Sequence, residues 1–458
     1  MSVQQESANQ ATTIAAVSSG AGASAVAVIR VSGPQAGPAL QTLAGMLPEP
    51  RRARLATLRH PADGAALDRG LVLWFPGPRS ATGEDLAELQ IHGGPAVVAA
   101  VLGALFSLGG IRPAERGEFS RRAFLNGRMD LTEAEGLADL ISAETEGQRR
   151  LAFAHAFGHL GQRVEAWRLR LVRAMALIEA GIDFADEDDV PAEARALARP
   201  ELQALLAELE AALADRRGAM MREGAVVAIA GLPNAGKSSL INALAARDVA
   251  IVSDEPGTTR DVLEVALDLR GHKVTLLDTA GLRDAVGKVE AEGIRRARHR
   301  IAQADLVLWV HDASVGRPPF ARPEIDAAPA GALWLVASKI DAATDEYDGT
   351  VPGWAEQRLA LSAATGAGVD GLVDALAGFV GTRASGTDHP ALIRARHRRD
   401  ATEAACHVRT AMSGWDGLSD ELLAEELRLA ARALGRMTGV IGVEDVLDVV
   451  FREFCIGK

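Results

Sequence analysis

The chain has very little cysteine, with only Cys406 and Cys455 among its 458 residues. With so few cysteines, a framework of disulfide bonds is implausible, and the two do not have the spacing of a zinc site. The N-terminus, MSVQQESANQ, has neither a basic start nor an apolar run, so we expect no secretory signal. Together these absences predict a protein of the reducing cytoplasm.

Long apolar runs are absent too. The longest, VVAAVLGALF from Val97, is too short to cross a bilayer and predicts a core helix, so we expect no membrane partner.

The formal net charge of -12 disfavours nonspecific coating of nucleic acid, because such binding depends on cations that neutralise phosphates. Two basic runs remain, RRARHR at 295–300 and RARHRR at 394–399, each a solvated helix face or a local basic patch.

The chain length suggests about three domains. In residues 1–125, AVAVIRV from Ala25 and LVLWF from Leu71 predict buried strands, and the alternation of ELQIH from Glu88 predicts a half-buried one. We therefore expect an α+β domain there. In residues 126–222 the strand signals stop, and apolar residues recur at helical spacing, namely Val164, Trp167, Leu171, Ala174, Ile178 and Ile182.

Residues 223–382 alternate strand, loop and helix, which predicts an α/β domain with a parallel sheet covered by helices. Residues 383–458 are predicted to be helical to their end, with one apolar stripe of Val446, Leu447, Val450, Phe451 and Phe454. Helical regions on both sides of the α/β domain predict one all-α domain into which that domain is inserted.

The segment GLPNAGKSSL, residues 231–240, fits the phosphate-loop pattern G-x-x-x-x-G-K-S. Its backbone N-H groups can wrap phosphates, the Lys237 amine can reach the β and γ phosphates, and the Ser238 hydroxyl can bind Mg²⁺. A glycine turn with a chance lysine is the alternative. The apolar strand AVVAIA before the loop and the helix SSLINALAA after it favour the phosphate loop.

Three later segments complete the pattern of a P-loop GTPase. Asp278 ends the strand of KVTLLDTAG and can hold Mg²⁺ through water, while the Gly281 amide can contact the γ phosphate. In SDEPGTTRD, Thr259 is a second hydroxyl ligand for Mg²⁺. SKID resembles the N-K-x-D signature, in which Asp341 accepts the guanine N1 and N2 hydrogens; Ser338 replaces the usual asparagine.

The segment LSA, which contains Ser362, resembles the loop that places a backbone amide against guanine O6. The predicted GTP-binding residues of all these segments are Asn234, Ala235, Gly236, Lys237, Ser238, Ser239, Ser253, Asp254, Glu255, Pro256, Gly257, Thr258, Thr259, Asp278, Thr279, Ala280, Gly281, Ser338, Lys339, Asp341, Ser362 and Ala363.

Leu282 stands where Ras-like GTPases have the glutamine that orients the attacking water. Because no arginine is evident to compensate charge at the β-γ bridge, we hypothesise that K⁺ does so, bound by Asn234, Ser253, Glu255 and Thr258. The alternative for Asn234 is that asparagine tolerates tight turn geometry and bonds its own backbone.

Over nearly its whole length the chain resembles the family of the bacterial tRNA modification GTPase MnmE, also called TrmE. The resemblance rests on RVSGP, TGEDLAELQIHGG, GEFSRRAFLNGRMDLTEAEGLADLI, GLPNAGKSSLINAL, GTTRD, DTAGLR, VEAEGIRRA and the terminal FCIGK, the most specific of them. Three positions depart from the family pattern: SSGAGAS replaces a P-P-G opening, Arg128 replaces a lysine, and Ser338 replaces an asparagine.

The resemblance implies a homodimer that works on tRNA with the flavoprotein MnmG, in a heterotetramer, to add an aminomethyl or carboxymethylaminomethyl group to C5 of the wobble uridine. It implies a 5-formyl- or 5,10-methylene-tetrahydrofolate carbon donor in the N-terminal domain, which also dimerises. The implied folate ligands are Arg30, Glu88, Arg128 and Lys458, Glu290 is implied to orient the attacking water, and Cys455 lies in the terminal motif. The alternative function is a GTP-dependent regulatory or ribosome-assembly switch.

Overall fold

The computed structural model describes residues 12–20, 22–183, 193–247, 249–251, 264–278, 304–316, 332–343, 351–386, 389–441, 447, 450, 451 and 454–457. Two compact units can be distinguished. One comprises Met1–Ala138, His155–Gln203 and Cys406–Lys458, and the other Asp139–Ala154 and Ala204–Ala405. The predicted domain limits at residues 125, 222 and 382 remain a prediction.

The N-terminal part of the first unit is a six-stranded sheet with helices, as the α+β prediction requires. Its strands are β1 (Thr13–Val17), β2 (Ser24–Ser32), β3 (Arg54–Arg59), β4 (Ala66–Phe75), β5 (Leu86–Gly93) and β6 (Ile111–Pro113), in the order β3-β4-β5-β2-β1-β6. Its helices are α1 (Ala36–Ala44), α2 (Pro95–Ser107) and α3 (Glu118–Leu125). The VVAAVLGALF run forms most of α2, as predicted.

Buried and more exposed side chains alternate along the strands, so one face of this sheet is apolar and the other polar. In β5, Leu89 and Ile91 are buried in the core, while Glu88 is only half-buried and His92 is exposed. This confirms the prediction of a half-buried strand. Because β2 and β5 are antiparallel, their register sets Arg30 opposite Glu88. Side chains two residues apart share a face, so the polar face is continuous across these two strands.

Helices follow the sheet, as predicted. They are α4 (Leu131–Ser142), α5 (Glu146–Ala156), α6 (His159–Asp183), α7 (Glu193–Ala214) and α8 (Arg217–Glu223). In α6 the residues predicted to share one face are fully buried, namely Val164, Trp167, Leu171, Ala174 and Ile178. The side chain of Ile182 lies outside the described part of the chain. No helix in that part is long and apolar enough to span a membrane.

A second six-stranded sheet lies in the other unit. It contains β7 (Ala225–Gly231), β8 (Glu264–Leu269), β9 (His272–Asp278), β10 (Leu306–Asp312), β11 (Ala332–Ser338) and β12 (Gln357–Ala360), with α9 (Lys237–Ala245) after β7 and α10 (Val369–Ala384) after β12. The strand order is β12-β11-β10-β7-β9-β8. The apolar residues of these strands form the core with Leu240, Leu372 and Leu376 of the two helices.

The prediction of a parallel sheet is correct for five strands and wrong for β8, which pairs with β9 in the antiparallel direction. Only Arg270 and Gly271 connect these two strands, and both have positive φ angles, 56° and 87°. A two-residue connection of this geometry forms a hairpin, whereas a parallel pair requires a long crossover.

The chain ends with α11 (Ala395–Ser413), α12 (Asp420–Thr438) and a short C-terminal segment. Of the predicted apolar stripe, Leu447, Val450, Phe451 and Phe454 are buried together with Leu131 and Ala134; Val446 lies outside the described residues. The prediction that the chain is helical to its end is wrong at Ile456. This residue forms an antiparallel bridge with Arg116, because the tail pairs with backbone of the N-terminal domain instead of continuing a helix.

Candidate functional site

The loop of residues 231–236 joins β7 to α9 through unusual backbone geometry. Gly231, Asn234 and Gly236 have φ angles of 151°, 62° and 95°. A Cβ atom at Gly231 would lie 2.3 Å from the Val310 carbonyl oxygen, so the loop starts where only glycine fits. Its N-H groups lead into the N-terminus of α9, a place that attracts phosphate. Asn234 tolerates its conformation because asparagine populates the left-handed region. This geometry agrees with the alternative interpretation that Asn234 serves the turn.

The Lys237 side chain is buried against this loop, with 7% of the residue exposed. Its Nζ donates hydrogen bonds to the carbonyl oxygens of Gly231, at 3.1 Å, and Leu232, at 2.9 Å. The ammonium is therefore held at the loop that is predicted to bind phosphate.

Two residues of the predicted magnesium site are described, Ser238 in the first turn of α9 and Asp278 at the end of β9. Parallel pairing sets Asp278 at the end of β9 opposite Ile229 of β7, near the start of α9. The Ser238 hydroxyl donates to Asp278 Oδ2 at 3.5 Å, and Asp278 is 5% exposed. A hydroxyl and a carboxylate fit Mg²⁺, which prefers oxygen ligands and retains waters and phosphate oxygens. In the described part of the chain no group of three or more His, Cys, Asp or Glu residues could hold a metal ion.

Ser338, the departure from N-K-x-D, lies at the end of β11 and is 3% exposed. Its Oγ is 2.5 Å from the carbonyl oxygen of Ala235 and 3.1 Å from that of His311. The hydroxyl can thus donate to the phosphate loop or to β10. A Cβ atom at Gly236 would lie 3.4 Å from this hydroxyl, so Ser338 packs closely against the loop.

Lys339 and Asp341 follow on a turn that begins with the positive φ of Lys339, 54°. The Lys339 ammonium donates to the Asn234 carbonyl oxygen at 2.8 Å and to Asp312 Oδ2 at 2.6 Å. Partial burial would raise the pKa of Asp312, but hydrogen bonds from Lys339 and Ser314 hold it below its ordinary value. Asp341, the predicted guanine-binding residue, is exposed.

The segment with Ser362 and Ala363 approaches the same end of the sheet. The amide of Leu361 donates to the Ala337 carbonyl oxygen at 2.8 Å, and the amide of Ile340 donates to the Leu361 carbonyl oxygen at 3.4 Å. Ser362 is fully buried. The structure therefore brings together the predicted phosphate-binding and base-binding segments.

Several predicted site residues lie outside the described part of the chain. For the nucleotide, magnesium, potassium and water-orienting roles these are Ser253, Asp254, Glu255, Pro256, Gly257, Thr258, Thr259, Thr279, Ala280, Gly281, Leu282 and Glu290. Lys458, which is predicted to bind folate, and the basic run at 295–300 also lie outside it.

The basic run at 394–399 is partly internal, which neither sequence interpretation predicted. Arg394 is 8% exposed and donates to Asp139 Oδ1 at 2.8 Å. Arg398 donates to the carbonyl oxygens of Leu213 and Asp215 at the end of α7. These arginines neutralise a carboxylate and cap a helix, since cations are favoured at helix C-termini.

Two of the predicted folate residues, Arg30 and Glu88, form an ion pair on the polar face of the N-terminal sheet. Arg30 Nη2 and Nε donate to Glu88 Oε1 at 2.9 and 3.1 Å, and the two side chains are 25% and 19% exposed. The Arg30 guanidinium also lies 5.8 Å from the ring centroid of Phe119 in α3. The Arg30 guanidinium therefore contacts both Glu88 and Phe119, and part of the ion pair is open to solvent.

Arg128 does not belong to that pair but follows α3, where it is exposed. It lines a cleft of about 570 Å³ together with Met129, Asp130, Glu133 and residues near Gly439. Burial, with the negative charge of Asp130, raises the pKa of Glu133 above its ordinary value. The cleft is thus mixed in polarity, with Arg128 as its cation.

The terminal motif docks on the N-terminal domain. The Ser18 hydroxyl donates to the Gly457 carbonyl oxygen at 2.8 Å, and a Cβ atom at Gly457 would lie 2.0 Å from the Val17 carbonyl oxygen. Glycine is therefore required here. The Cys455 thiol is exposed.

Sequence reasoning missed a partly buried ionic network in the N-terminal domain. It links Arg112, Glu118, Arg122 and Glu84. Two of these residues lie in the quoted GEFSRR motif and one in TGED, but charged residues in a motif do not indicate burial.

Comparison with known proteins gave consistent matches along the chain. A family model of the MnmE helical domain matches residues 131–455, and a model of the GTP-binding protein TrmE N-terminus matches residues 13–128. The tRNA modification GTPase MnmE of Bradyrhizobium sp. (strain BTAi1) is 52% identical over 448 residues, 97% of this chain and 99% of that relative. That of Azorhizobium caulinodans is 52% identical over 447 residues, 97% of this chain and 99% of that relative.

A solved structure of Aquifex aeolicus Era bound to GDP and AlF4⁻ is also similar, with 25% identity over 34% of this chain and 56% of that chain. Its TM-score of 0.25 is too low to support an inference of its own.

Proposed function

The chain belongs to the MnmE family of tRNA modification GTPases, and from this membership we propose that it is the GTP-hydrolysing component of a complex that modifies tRNA. The structural observation that supports this most directly is one site with two parts. Lys237, Ser238 and Asp278 suit a triphosphate with Mg²⁺, and the turn of Lys339 and Asp341 suits guanine.

We further propose the reaction that the family resemblance implies. The complex adds an aminomethyl or carboxymethylaminomethyl group to C5 of the wobble uridine of certain tRNAs, with a tetrahydrofolate as the carbon donor. The chain acts in the cytoplasm as a homodimer that joins the flavoprotein MnmG. The domains are those expected from the sequence: residues 1–125, 126–222 joined with 383–458, and the GTPase domain 223–382 between them.

The residues of the N-terminal domain fit a folate. Glu88 takes both Arg30 donors on Oε1, so its second oxygen can accept N-H groups of a pterin ring. Arg128 is exposed and keeps the positive charge that an anionic glutamate tail requires. The folate supplies the one-carbon group when bound, while these side chains bind and orient it.

In the GTPase domain, the protein's own groups bind and polarise the triphosphate. Lys237 adds positive charge beside the β and γ phosphates, and Ser238 with Asp278 fixes the Mg²⁺ position. Asp341 selects guanine because its carboxylate accepts two hydrogens that adenine does not offer. We propose that Glu290 orients the water and that Asn234 contributes to a K⁺ site.

A GTP-dependent regulatory or ribosome-assembly switch is not favoured. Such a switch would need the GTPase domain alone, whereas the family models also match the N-terminal and helical parts of this chain. The Arg30–Glu88 pair and the docked terminal motif have no role in a bare switch.

The decisive experiment is liquid chromatography of tRNA nucleosides from a deletion strain. We expect the modified wobble uridine to be lost and to return with the wild-type gene. Lys237→Ala should fail to restore it, whereas Arg52→Ala, which alters a side chain 78% exposed, should restore it fully. An unchanged nucleoside profile in the deletion strain would exclude the proposed reaction and favour the switch.

A further inference from the structure

Arg122 is the centre of the partly buried ionic network in the N-terminal domain. Its side chain is 3% exposed and donates to both carboxylate oxygens of Glu84, at 3.2 and 3.0 Å, and to Glu118 Oε1 at 3.0 Å. It also donates to the Thr12 carbonyl oxygen at 2.9 Å. Burial would raise the pKa of Glu118, but hydrogen bonds from Arg112, the Glu115 amide and Arg122 lower it, so the carboxylate stays charged.

Glu84 connects this network to the strand that carries Arg30. The Ser32 hydroxyl donates to Glu84 Oε2 at 2.8 Å and is 2.7 Å from the Thr82 hydroxyl. Ser32 lies two residues beyond Arg30 on β2, so both side chains are on the same face of the sheet. The position of Glu84 is therefore tied to that of the Arg30–Glu88 pair.

The same loop reaches the segment that carries Arg128. The Asn126 side-chain amide donates to the Thr82 carbonyl oxygen at 2.8 Å. At Gly83, a Cβ atom would lie 2.7 Å from Asn126 Cβ and 3.2 Å from Arg128 Cγ. The loop thus contacts Arg128 on one side and, through Glu84 and Ser32, the Arg30 strand on the other.

Helix α3 gives a second connection between the strand that carries Arg30 and the segment that carries Arg128. It carries Arg122 on the network side and Phe119 beneath the Arg30 guanidinium, and Arg128 follows its last turn. Burying charges carries a desolvation cost that apolar residues of similar volume avoid, so burial of an ion pair does not by itself explain its presence. The network also supplies directional contacts, because Nη1 and Nη2 of one guanidinium bond Glu84 of the loop and Glu118 of the helix in a defined geometry.

We propose that Glu84 and Arg122 are positioning residues that fix the separation between the Arg30–Glu88 pair and Arg128, so that one folate is held at its pterin ring and its glutamate tail at once. This inference rests on the proposed folate site. Neither residue touches the ligand; each acts through the loop of residues 82–84 and through α3.

The test measures how much the glutamate tail adds to affinity. Calorimetry on the full chain compares 5-formyl-tetrahydrofolate with 5-formyl-tetrahydropteroate, which lacks the glutamate. In the wild type we expect the tail to tighten binding about tenfold or more, as a charged hydrogen bond does. The quantity compared is the ratio of the affinity for the folate to the affinity for the pteroate. Glu84→Gln and Arg122→Lys should reduce this affinity ratio to below about threefold while the pteroate still binds. A purely structural defect would lower the fraction of folded protein. The affinity ratio does not depend on that fraction, because both compounds bind the same folded protein.

Asn126→Ala removes one contact of the loop and Ser32→Ala removes two, and these variants replace the charged ones if those do not fold. Both should also lower the ratio, whereas Glu49→Gln, at a side chain 71% exposed, should leave it as in the wild type. An unchanged ratio in folded Glu84→Gln or in both milder variants would overturn the positioning role. A wild type that binds neither compound would overturn the folate site itself, and the positioning role with it.

Discussion

The hydroxyl of Ser338 lies 2.5 Å from the carbonyl oxygen of Ala235 and links the end of β11 to the phosphate loop. Asparagine is usual at this position in N-K-x-D, and the serine here makes the link with a shorter side chain. The predicted base-binding turn and the phosphate loop are therefore joined by a contact within the protein itself.

Ser338→Ala should weaken GTP binding about threefold to tenfold, because it removes this link and leaves a carbonyl oxygen without the hydroxyl donor. Nucleotide titration with a fluorescent GTP analogue measures the change. Ser385→Ala provides the control, since that hydroxyl is exposed at the end of α10. Equal affinities in Ser338→Ala and the wild type would mean that the link does not help to form the site.

GTP turnover should be much faster in potassium than in sodium at equal ionic strength, because a cation at the β-γ bridge can contribute about three to five decades in rate. Asn234→Ala should remove the difference between the two salts. Asn234→Gly is a matched variant, since it keeps the left-handed conformation without the side-chain oxygen. If Asn234→Gly kept the full potassium effect, the asparagine would serve only the turn geometry.

Glu290→Ala should retain GTP affinity while turnover falls by about a hundredfold or more, because a group that orients the attacking water acts only in the transition state. Single-turnover hydrolysis together with nucleotide titration separates the two quantities. Glu223→Ala, a 66% exposed carboxylate, is the control. If GTP turnover in Glu290→Ala equalled that of the wild type, the attacking water would have to be oriented by another group.

Acid should destabilise the unit that contains Glu118. The folded-state pKa of Glu118 lies below its ordinary value, so its contribution to stability is present above pH 4.5 and is lost as the pH falls through the folded pKa. At pH 7, Glu118→Gln should lower the unfolding midpoint by roughly 5 °C. Below pH 4 the difference from the wild type should shrink.

Thermal unfolding of both proteins between pH 7 and pH 3 checks this expectation. Glu49→Gln is the control, because that side chain is largely exposed and its ion pair with Arg52 lies at the surface. A difference between wild type and Glu118→Gln that stays constant down to pH 3 would contradict the assignment of the effect to the charged carboxylate.

Local patterns in the sequence were sufficient for many of the element types and for the backbone geometry of the phosphate loop. The fully buried face of α6 and the alternation of β5 follow from periodicity, which depends only on neighbours along the chain. The phosphate loop is also local, since Gly231, Asn234 and Gly236 supply within six residues the backbone angles that the loop needs.

Tertiary structure decided what depends on residues distant in sequence. The end of the chain follows from backbone pairing of Ile456 with Arg116, and the burial of Arg394 follows from its ion pair with Asp139. The direction of β8, by contrast, is set locally by its two-residue hairpin, which the strand and helix alternation did not indicate. Sequence identified Arg122 and Glu84 only as motif residues. The burial of Arg122 against Glu84 became visible only in the fold, because a charge is buried only where opposite charges from other segments offset its desolvation.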